Sequence, residues 1–372
     1  MSLTNPAFAH AIRHRQGIES AIANRAIGAH LEQSVVRSWR RCLEGYSLDP
    51  AQPRKPSFVD AAELQRRREA LGSAAAIVRA TMMRLSATFD HTLCAIFTDA
   101  QGVILFYAAA PAFAERARGL RAGAVWSESE QGTNGMGTCL AEREPVIIEK
   151  GDHFLAQNTG LTCFAMPVFQ RGQLIGALDI SCHNVPPRGP MLALLDLAVL
   201  DIENRLVSQQ ASGDQLLCFS PNREELGTAL EGIVSFDSDG RITGANRAAI
   251  RLLGAQTQEQ VFGRPVEHWL RIDRNERLDA RSTVFRCRPV IEDPQREYYY
   301  CRVHAPAEAM EHRPVSSEVR PVRTAVAVAE RGALLDALRC NEGNVSAAAR
   351  SLGIGRKTLY RKLAKHGLRP DS

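Results

Sequence analysis

The last 43 residues hold the whole net charge of the chain. Between Glu330 and Ser372 stand nine Lys or Arg side chains against four carboxylates. The other 329 residues hold 37 of each sign, so the formal charge of +5 over 372 residues belongs to the tail alone. A cationic excess focused on one short segment is the electrostatic footprint of a module that binds a polyanion. The order of residues in that segment constrains its fold further. Ala329 to Cys340 predicts a first helix with Ala333, Leu334, Ala337 and Leu338 facing inward. Asn344 can cap a second helix, in which Ala347, Ala348 and Ala349 permit close approach of a third. Gly353 suits the intervening turn because it tolerates positive φ, and Ile354 can fill the corner. In the third helix Leu359 and Leu363 lie four apart on the buried face. That arrangement directs Arg356, Lys357, Thr358, Tyr360, Arg361, Lys362 and Lys365 toward solvent or a ligand.

Two helices joined by a tight turn, the second rich in cations, match the docking of a helix in a DNA major groove. The first residues of such a helix reach base edges, so Arg356 is assigned a guanine and Lys357 a second base edge or a phosphate. Thr358, Tyr360, Arg361 and Lys362 are assigned phosphates, with Lys365 further along the same outward surface. The competing reading is an ordinary basic pair of surface helices.

The rest of the chain is long enough for two or three domains. No apolar run approaches the length of a membrane span, and the N-terminal MSLTNPAFAHAIRHRQGIES lacks the apolar stretch of a signal peptide. The expected compartment is the cytoplasm. Nine cysteines at irregular spacing, with no C-x-x-C pair, predict reduced and mostly buried thiols. Four of them, Cys94, Cys139, Cys163 and Cys182, fall in one stretch with His153 and His183. They form either a metal or thiol-sensing cluster or ordinary core.

Residues up to about 85 read as helices interrupted at Pro50, Pro53 and Pro56, and the run Arg66-Arg67-Arg68 as a solvated helix face. From His91 short apolar runs alternate with turns. TLCAIFTDAQGVILFYAA predicts a hairpin, PVIIEK a strand, and CFAMPVFQRGQLIGALDISC a second hairpin turning at Arg171-Gly172. The glycine-rich GTNGMGT, 132–138, has neither dinucleotide nor P-loop spacing, and reads as a tight loop opening a short helix. Leu192, Leu195, Val199, Ile202 and Leu206 form a helical stripe that is either core or a dimer seam. EGIVSFDSDGRITGANRAAIRLLG predicts strand, turn, strand and helix. VFRCRPV and EYYYCRVHA supply late strands, and APAEAMEHRPVSSEVRPVRTAVA has linker composition.

Three of these segments, SWRRCLEGYSLDP, GTNGMGTCLAEREPVIIEKGDHF and TCFAMPVFQRGQLIGALDIS, resemble the sensor half of the acetoin-catabolism type of bacterial regulators, which are sigma-54 activator-like proteins with a GAF input domain. EGIVSFDSDGRITGANRAA resembles the opening of a PAS domain, with Asn246 at the familiar Asn, and the C-terminal stretch resembles the Fis-type helix-turn-helix. Those regulators usually place an AAA+ ATPase domain between sensor and DNA-binding tail. Here only about 25 linker residues stand there, and neither a Walker A loop nor a GAFTGA loop occurs in the chain.

The expectation is an α+β multidomain chain: GAF-like and PAS-like antiparallel-sheet sensor domains plus an all-α C-terminal helix-turn-helix. Its parts are a helical N-terminal region (1–75), GAF-like domain (76–208), PAS-like domain (222–305), linker (306–327) and Fis-type tail (328–372). The expected function is sequence-specific DNA binding by a transcriptional regulator, a homodimer that senses a small-molecule effector, works with double-stranded DNA and RNA polymerase, and does not engage a membrane. The seams expected for the dimer are the stripe and the first tail helix around Leu334 and Leu338. One rival is an accessory or nucleoid-type DNA-binding protein whose sensor domains serve only dimerisation. The other is a signalling enzyme, against which stands the lack of any Ser/His/Asp, paired-carboxylate or metal set; no catalytic residue and no metal ligand is assigned.

Overall fold

The computed structural model describes residues 6–23, 33–88, 93–109, 111–117, 119–183, 187–210, 214–277, 284–290, 298–304, 334, 338, 341, 344–351, 356–365 and 368. The expected linker 306–327, the turn residues Gly353 and Ile354, Cys340 and most of the first tail helix lie outside them.

The chain opens with α1 (Pro6–Ala23), α2 (Gln33–Arg40), α3 (Ala61–Ala70) and α4 (Ser73–Thr88), with one π-helical turn at Arg41–Gly45. A five-stranded antiparallel sheet follows, built from β1 (Leu93–Asp99), β2 (Ile104–Ala109), β3 (Val146–Glu149), β4 (Thr162–Gln170) and β5 (Gln173–Cys182) in the order β2-β1-β5-β4-β3. Both expected hairpins form. Asp99 accepts from the backbone N–H of Gln101 and Val103 at 2.9 Å and so closes the first. In the second, Arg171 and Gly172 both take positive φ, 49° and 76°, as a two-residue hairpin turn matched to strand twist requires. Short helices α5 (Pro111–Arg116), α6 (Glu128–Gln131) and α7 (Gly135–Glu142) lie between β2 and β3.

One face of this sheet, including Cys94, Ile96, Ile148, Cys163 and Ala177, forms a single core with Ile18 of α1, Val35 and Trp39 of α2 and Met136 of α7. The N-terminal helices thus complete the core of the first sheet. Polar contacts fix them there: Trp39 Nε1 donates to the Asp152 carbonyl at 2.8 Å, and Arg41 bridges the buried Glu128 (2.6 Å) to Glu142 (2.7 Å). The arginine run on α3 is less solvated than its composition suggests. Arg67 pairs with Glu63 and Asp99, both at 2.6 Å, and Arg68 donates to the Leu105 carbonyl, so two of the three tie α3 to the β1–β2 hairpin.

Helix α8 (Arg188–Gln210) carries the apolar stripe. Leu195, Val199, Ile202 and Leu206 are buried within this chain, between 0% and 1% exposed. Four of the five stripe residues therefore belong to the core of this chain and are not available to a dimer seam, while Leu192 is half-buried. The same correction applies to Leu334 and Leu338, both buried in the core of the tail.

The second sheet orders its six antiparallel strands β8-β7-β6-β11-β10-β9. These are β6 (Gln215–Ser220), β7 (Gly232–Phe236), β8 (Ile242–Ala245), β9 (Leu270–Arg277), β10 (Val284–Pro289) and β11 (Tyr299–His304), with α9 (Arg247–Leu252) after β8. Central β6 begins ahead of residue 222. Edge strand β9, LRIDRNER, is too charged to be read as a strand from apolar pattern alone, although charge is how exposed sheet edges are commonly protected. Across β10 and β11, Cys287 and Cys301 are joined as a disulfide, which corrects the expectation of reduced thiols throughout; Cys42, Cys94, Cys139, Cys163, Cys182 and Cys218 are buried, disulfide-independent thiols. The pairing follows from register: Phe285 faces Cys301 and Cys287 faces Tyr299, so the two cysteines are diagonal neighbours.

Asn246 locks this domain. Its side chain caps α9 by accepting from Ala249 N (2.7 Å), accepts from Ile233 N (2.9 Å), and donates to Asn204 Oδ1 (2.6 Å) and the Glu231 carbonyl (2.8 Å). Replacing it leaves several buried groups unpartnered, at about 1–3 kcal/mol each. Asn246→Ala is expected to raise amide hydrogen exchange across β7 and α9 by at least about tenfold while leaving β1 and β5 unchanged, measured by mass spectrometry.

Candidate functional site

The tail forms its own small core. Leu334, Leu338, Val345, Ala348, Ala349, Leu359 and Leu363 are mutually buried, with Leu368 packed against them. Helix α10 (Val345–Ser351) starts where expected, because Asn344 Oδ1 accepts from Ser346 N and Ala347 N at 3.1 Å. Ala348 and Ala349 give α10 a nearly flat buried side. Helix α11 (Arg356–Lys365) presses Leu359 and Leu363, 0% and 1% exposed, onto it.

With that face committed, helical periodicity dictates the rest. Arg356, Lys357, Tyr360 and Arg361 are exposed and Lys362 is half-buried. Thr358 and Lys365 lie on the α11 backbone, and their side chains lie outside the described residues. The Arg356 guanidinium stands 5.8 Å from the Tyr360 ring centroid, so the first exposed turn presents a cation stacked beside an aromatic ring. Arg350 at the end of α10 is also exposed; its charge counts toward the tail's excess, and its position was not legible from the sequence. In outline, the arrangement is a convex cationic helix face held from behind by leucines, suited to a polyanion groove.

The core of the first sheet holds a second concentration of chemistry. Among the described residues no group of three or more His, Cys, Asp or Glu is placed to hold a metal ion. The glycine-rich loop is a packing device: Gly132 precedes α7, a Cβ on Gly135 would lie 2.6 Å from Cys163 Cβ, and one on Gly137 would lie 2.7 Å from the Trp126 carbonyl. Behind Gly135 sits a fully buried chain of polar groups. His153 Nδ1 donates to the Lys150 carbonyl (3.1 Å), which leaves Nε2 to accept from the Cys163 thiol (3.4 Å); Ser181 Oγ lies 3.2 Å from that sulfur and 2.6 Å from Asp179 Oδ1. Burial pushes the thiols of Cys94, Cys139 and Cys163 well above their ordinary value and that of Cys182 up to about 12, so all four are protonated and inert. Burial also raises Asp179 to about 7 and lowers His153 to about 4. Sequence reasoning missed Asp179 and Ser181. Their signal is the pair of polar residues two apart inside the otherwise apolar strand IGALDISC.

Comparison with known proteins accords with this geometry. The family model of the GAF domain matches residues 73–206, that of the PAS fold residues 223–325, and that of the bacterial regulatory protein, Fis family, residues 325–366. The acetoin catabolism regulatory protein of Cupriavidus necator is 32% identical over 227 residues, 59% of this chain and 34% of that protein. The acetoin dehydrogenase operon transcriptional activator AcoR of Bacillus subtilis is 26% identical over 185 residues, 49% of this chain and 30% of that protein. The chain thus spans about a third of the length of these curated relatives. The solved E.coli DhaR(N)-DhaL complex superposes with a TM-score of 0.43 at 15% identity, covering 73% of this chain and 99% of that chain. The chain carries a GAF domain, a PAS fold and a Fis-family helix-turn-helix, and no helix among the described residues is long and apolar enough to cross a membrane.

The buried acid makes a pH prediction. Asp179 titrates at about 7 in the fold against an ordinary 3.8. Between those values the native chain keeps a proton that the unfolded chain has released, so this group lowers stability as pH rises from about 4 to 7. The full span corresponds to about 4 kcal/mol. His153, held neutral down to about 4 against an ordinary 6.5, acts in the opposite direction over much of the same range, so the wild-type profile alone does not isolate Asp179. The difference in melting temperature between Asp179→Asn and wild type is expected to grow in favour of the variant from pH 4 to 7 and then level off, by scanning calorimetry at stepped pH.

Proposed function

We propose that this chain is a non-enzymatic transcriptional regulator that binds double-stranded DNA sequence-specifically through α11 and senses a small molecule through its GAF and PAS domains. The observation that carries the reading is the tail: Leu359 and Leu363 fix one face of α11 inward, which turns Arg356, Lys357, Tyr360 and Arg361 outward on a segment holding the protein's whole net charge. The domain partition proposed is a helical N-terminal region at 1–75, GAF at 76–208, PAS at 222–305, a linker at 306–327 and the DNA-binding tail at 328–372. Arg356 reads a guanine and Lys357 a neighbouring base edge or phosphate, while Thr358, Tyr360, Arg361, Lys362 and Lys365 hold the backbone.

The reading places the protein in the cytoplasm as a homodimer, because one short tail makes few base contacts and two tethered tails gain from high effective concentration. The effector would favour one arrangement of the sensor over another and so change promoter occupancy and access of RNA polymerase. Without a Walker A or GAFTGA loop in this chain, ATP-driven promoter opening forms no part of the mechanism.

Binding to systematically varied duplexes tests the assignment. Arg356→Ala is expected to lose about 1–3 kcal/mol of discrimination at one base position of each half-site. Arg361→Ala should weaken binding to all sequences alike and reduce the salt slope by about one. Equal, sequence-independent losses from both would remove Arg356 from base readout, and unchanged binding by both would remove α11 from the interface.

A further inference from the structure

Where the two sensor domains meet, a cleft of about 410 Å³ opens between the C-cap of α7, strand β4, helix α8 and helix α9. It falls within the size range of small-molecule sites. Its residues come from both domains: Arg143 and Phe169 from the first, Glu203 from α8, and Arg247, Ile250 and Gln258 from the second. Two guanidiniums flank one ring, with Arg143 5.6 Å and Arg247 6.0 Å from the Phe169 centroid. They are not equivalent. Arg247 is paired, donating through Nη2 to Glu203 Oε1 (2.8 Å) and the Pro167 carbonyl (2.9 Å). Arg143 is exposed, is held in place by a left-handed backbone (φ 58°), and makes no hydrogen bond and no ion pair through its side chain among the described residues. Its field reaches Glu259 on the opposite rim.

The floor is unsatisfied in a complementary way. Glu203 is 3% exposed, and among the described residues its Oε2 has no hydrogen-bond partner; neither has Oε1 of Gln258, which lines the same cleft. Both residues also line a void of about 10 Å³ next to the cleft. Two buried acceptors without a donor form an arrangement that folded proteins rarely leave unfilled. A guanidinium with no hydrogen-bonded anion and two acceptors without a donor, lining one cleft beside the Phe169 ring, define a ligand of mixed character.

We propose that this interdomain cleft is the effector site and that its ligand is a small carboxylate bearing a hydroxyl or ammonium donor. Arg143 takes the carboxylate through its planar fork. The hydroxyl or ammonium donates to Glu203 Oε2 and Gln258 Oε1, and the carbon skeleton lies against Phe169 and Ile250. The proposal rests on the sensing role proposed above and deepens it: a ligand here touches both domains and α8 at once, so its binding energy acts directly on their mutual arrangement.

The test is calorimetric titration of the full chain with L-lactate, L-malate, L-alanine and L-glutamate, each up to about 10 mM. Propionate lacks the donor and lactamide lacks the charge, and both serve as matched comparisons. The expected result is saturable binding of at least one of the four, with both comparisons and Arg143→Gln weaker by about tenfold or more. Gln258→Met should bring the lactate or malate preference over propionate down toward unity without abolishing propionate binding. Circular dichroism accompanies both variants, and if one loses its fold the other carries the test. No binding by any carboxylate, or binding that neither variant alters, overturns the assignment. Melting shifts with neutral diols and polyols separate the two ideas. A neutral compound that stabilises wild type and Arg143→Gln alike leaves sensing intact and overturns the cleft, whereas silence across all probes counts against both.

Discussion

The sensor depends on the guanidinium of Arg247. From the start of α9 it reaches out of its own domain, donates to the buried Glu203 of α8 and to the Pro167 carbonyl of β4, and stands 3.9 Å from Asp196. Burial pushes the Glu203 carboxyl up while Arg247 pulls it back, and burial is the larger influence. Such a pair adds little net stability over an apolar substitute, but losing Arg247 strands the buried Glu203 carboxylate. Its value is therefore geometric: it holds α9, α8 and β4 to one arrangement. Asn246, the next residue back, anchors the same corner from the other side through Asn204 of α8. The two domains are joined here by directional polar bonds, alongside a small apolar cluster of Val207 with Leu216, Cys218 and Ile233.

How much of this the sequence discloses depends on the range of the interactions involved. Elements whose cause is local were legible: the Asn344 cap, the Arg171-Gly172 turn, the hairpin at Asp99, and the division of α11 into a leucine face and a cationic face. Elements whose cause is a distant neighbour were not. The α8 stripe reads equally well as core or seam until the sheets that bury it are placed. Arg67 and Arg68 look like solvated charge until Asp99 and the Leu105 carbonyl arrive from a hairpin more than 30 residues away. Cys287 and Cys301 lack any spacing motif and meet only because β10 and β11 pair in one register. Strand β9 escaped because edge protection by charge erases the alternation that marks a strand.

The candidate sites divide in the same way. A cationic helix face is written in charge and helical period, so Arg356, Lys357, Tyr360 and Arg361 could be named and are found exposed. A cleft assembled from Arg143, Phe169, Glu203 and Gln258 spans 116 residues of chain and has no period at all. Asp179 and Ser181 carry a fainter signal, polar residues in an apolar strand, which becomes readable once Cys163 and His153 are seen beside them.

The central claim is that α11 reads sequence. Selection of random double-stranded DNA by the purified full chain, followed by sequencing of the bound pool, measures this with no operator assumed in advance. The expected outcome is enrichment of a short motif containing an invariant G·C pair, present as two inverted copies whose centres lie about 10 base pairs or a multiple of that apart. A bound pool with the same composition as the input, retained only through salt-sensitive contacts, would contradict it and leave a cationic tail that binds DNA without reading it.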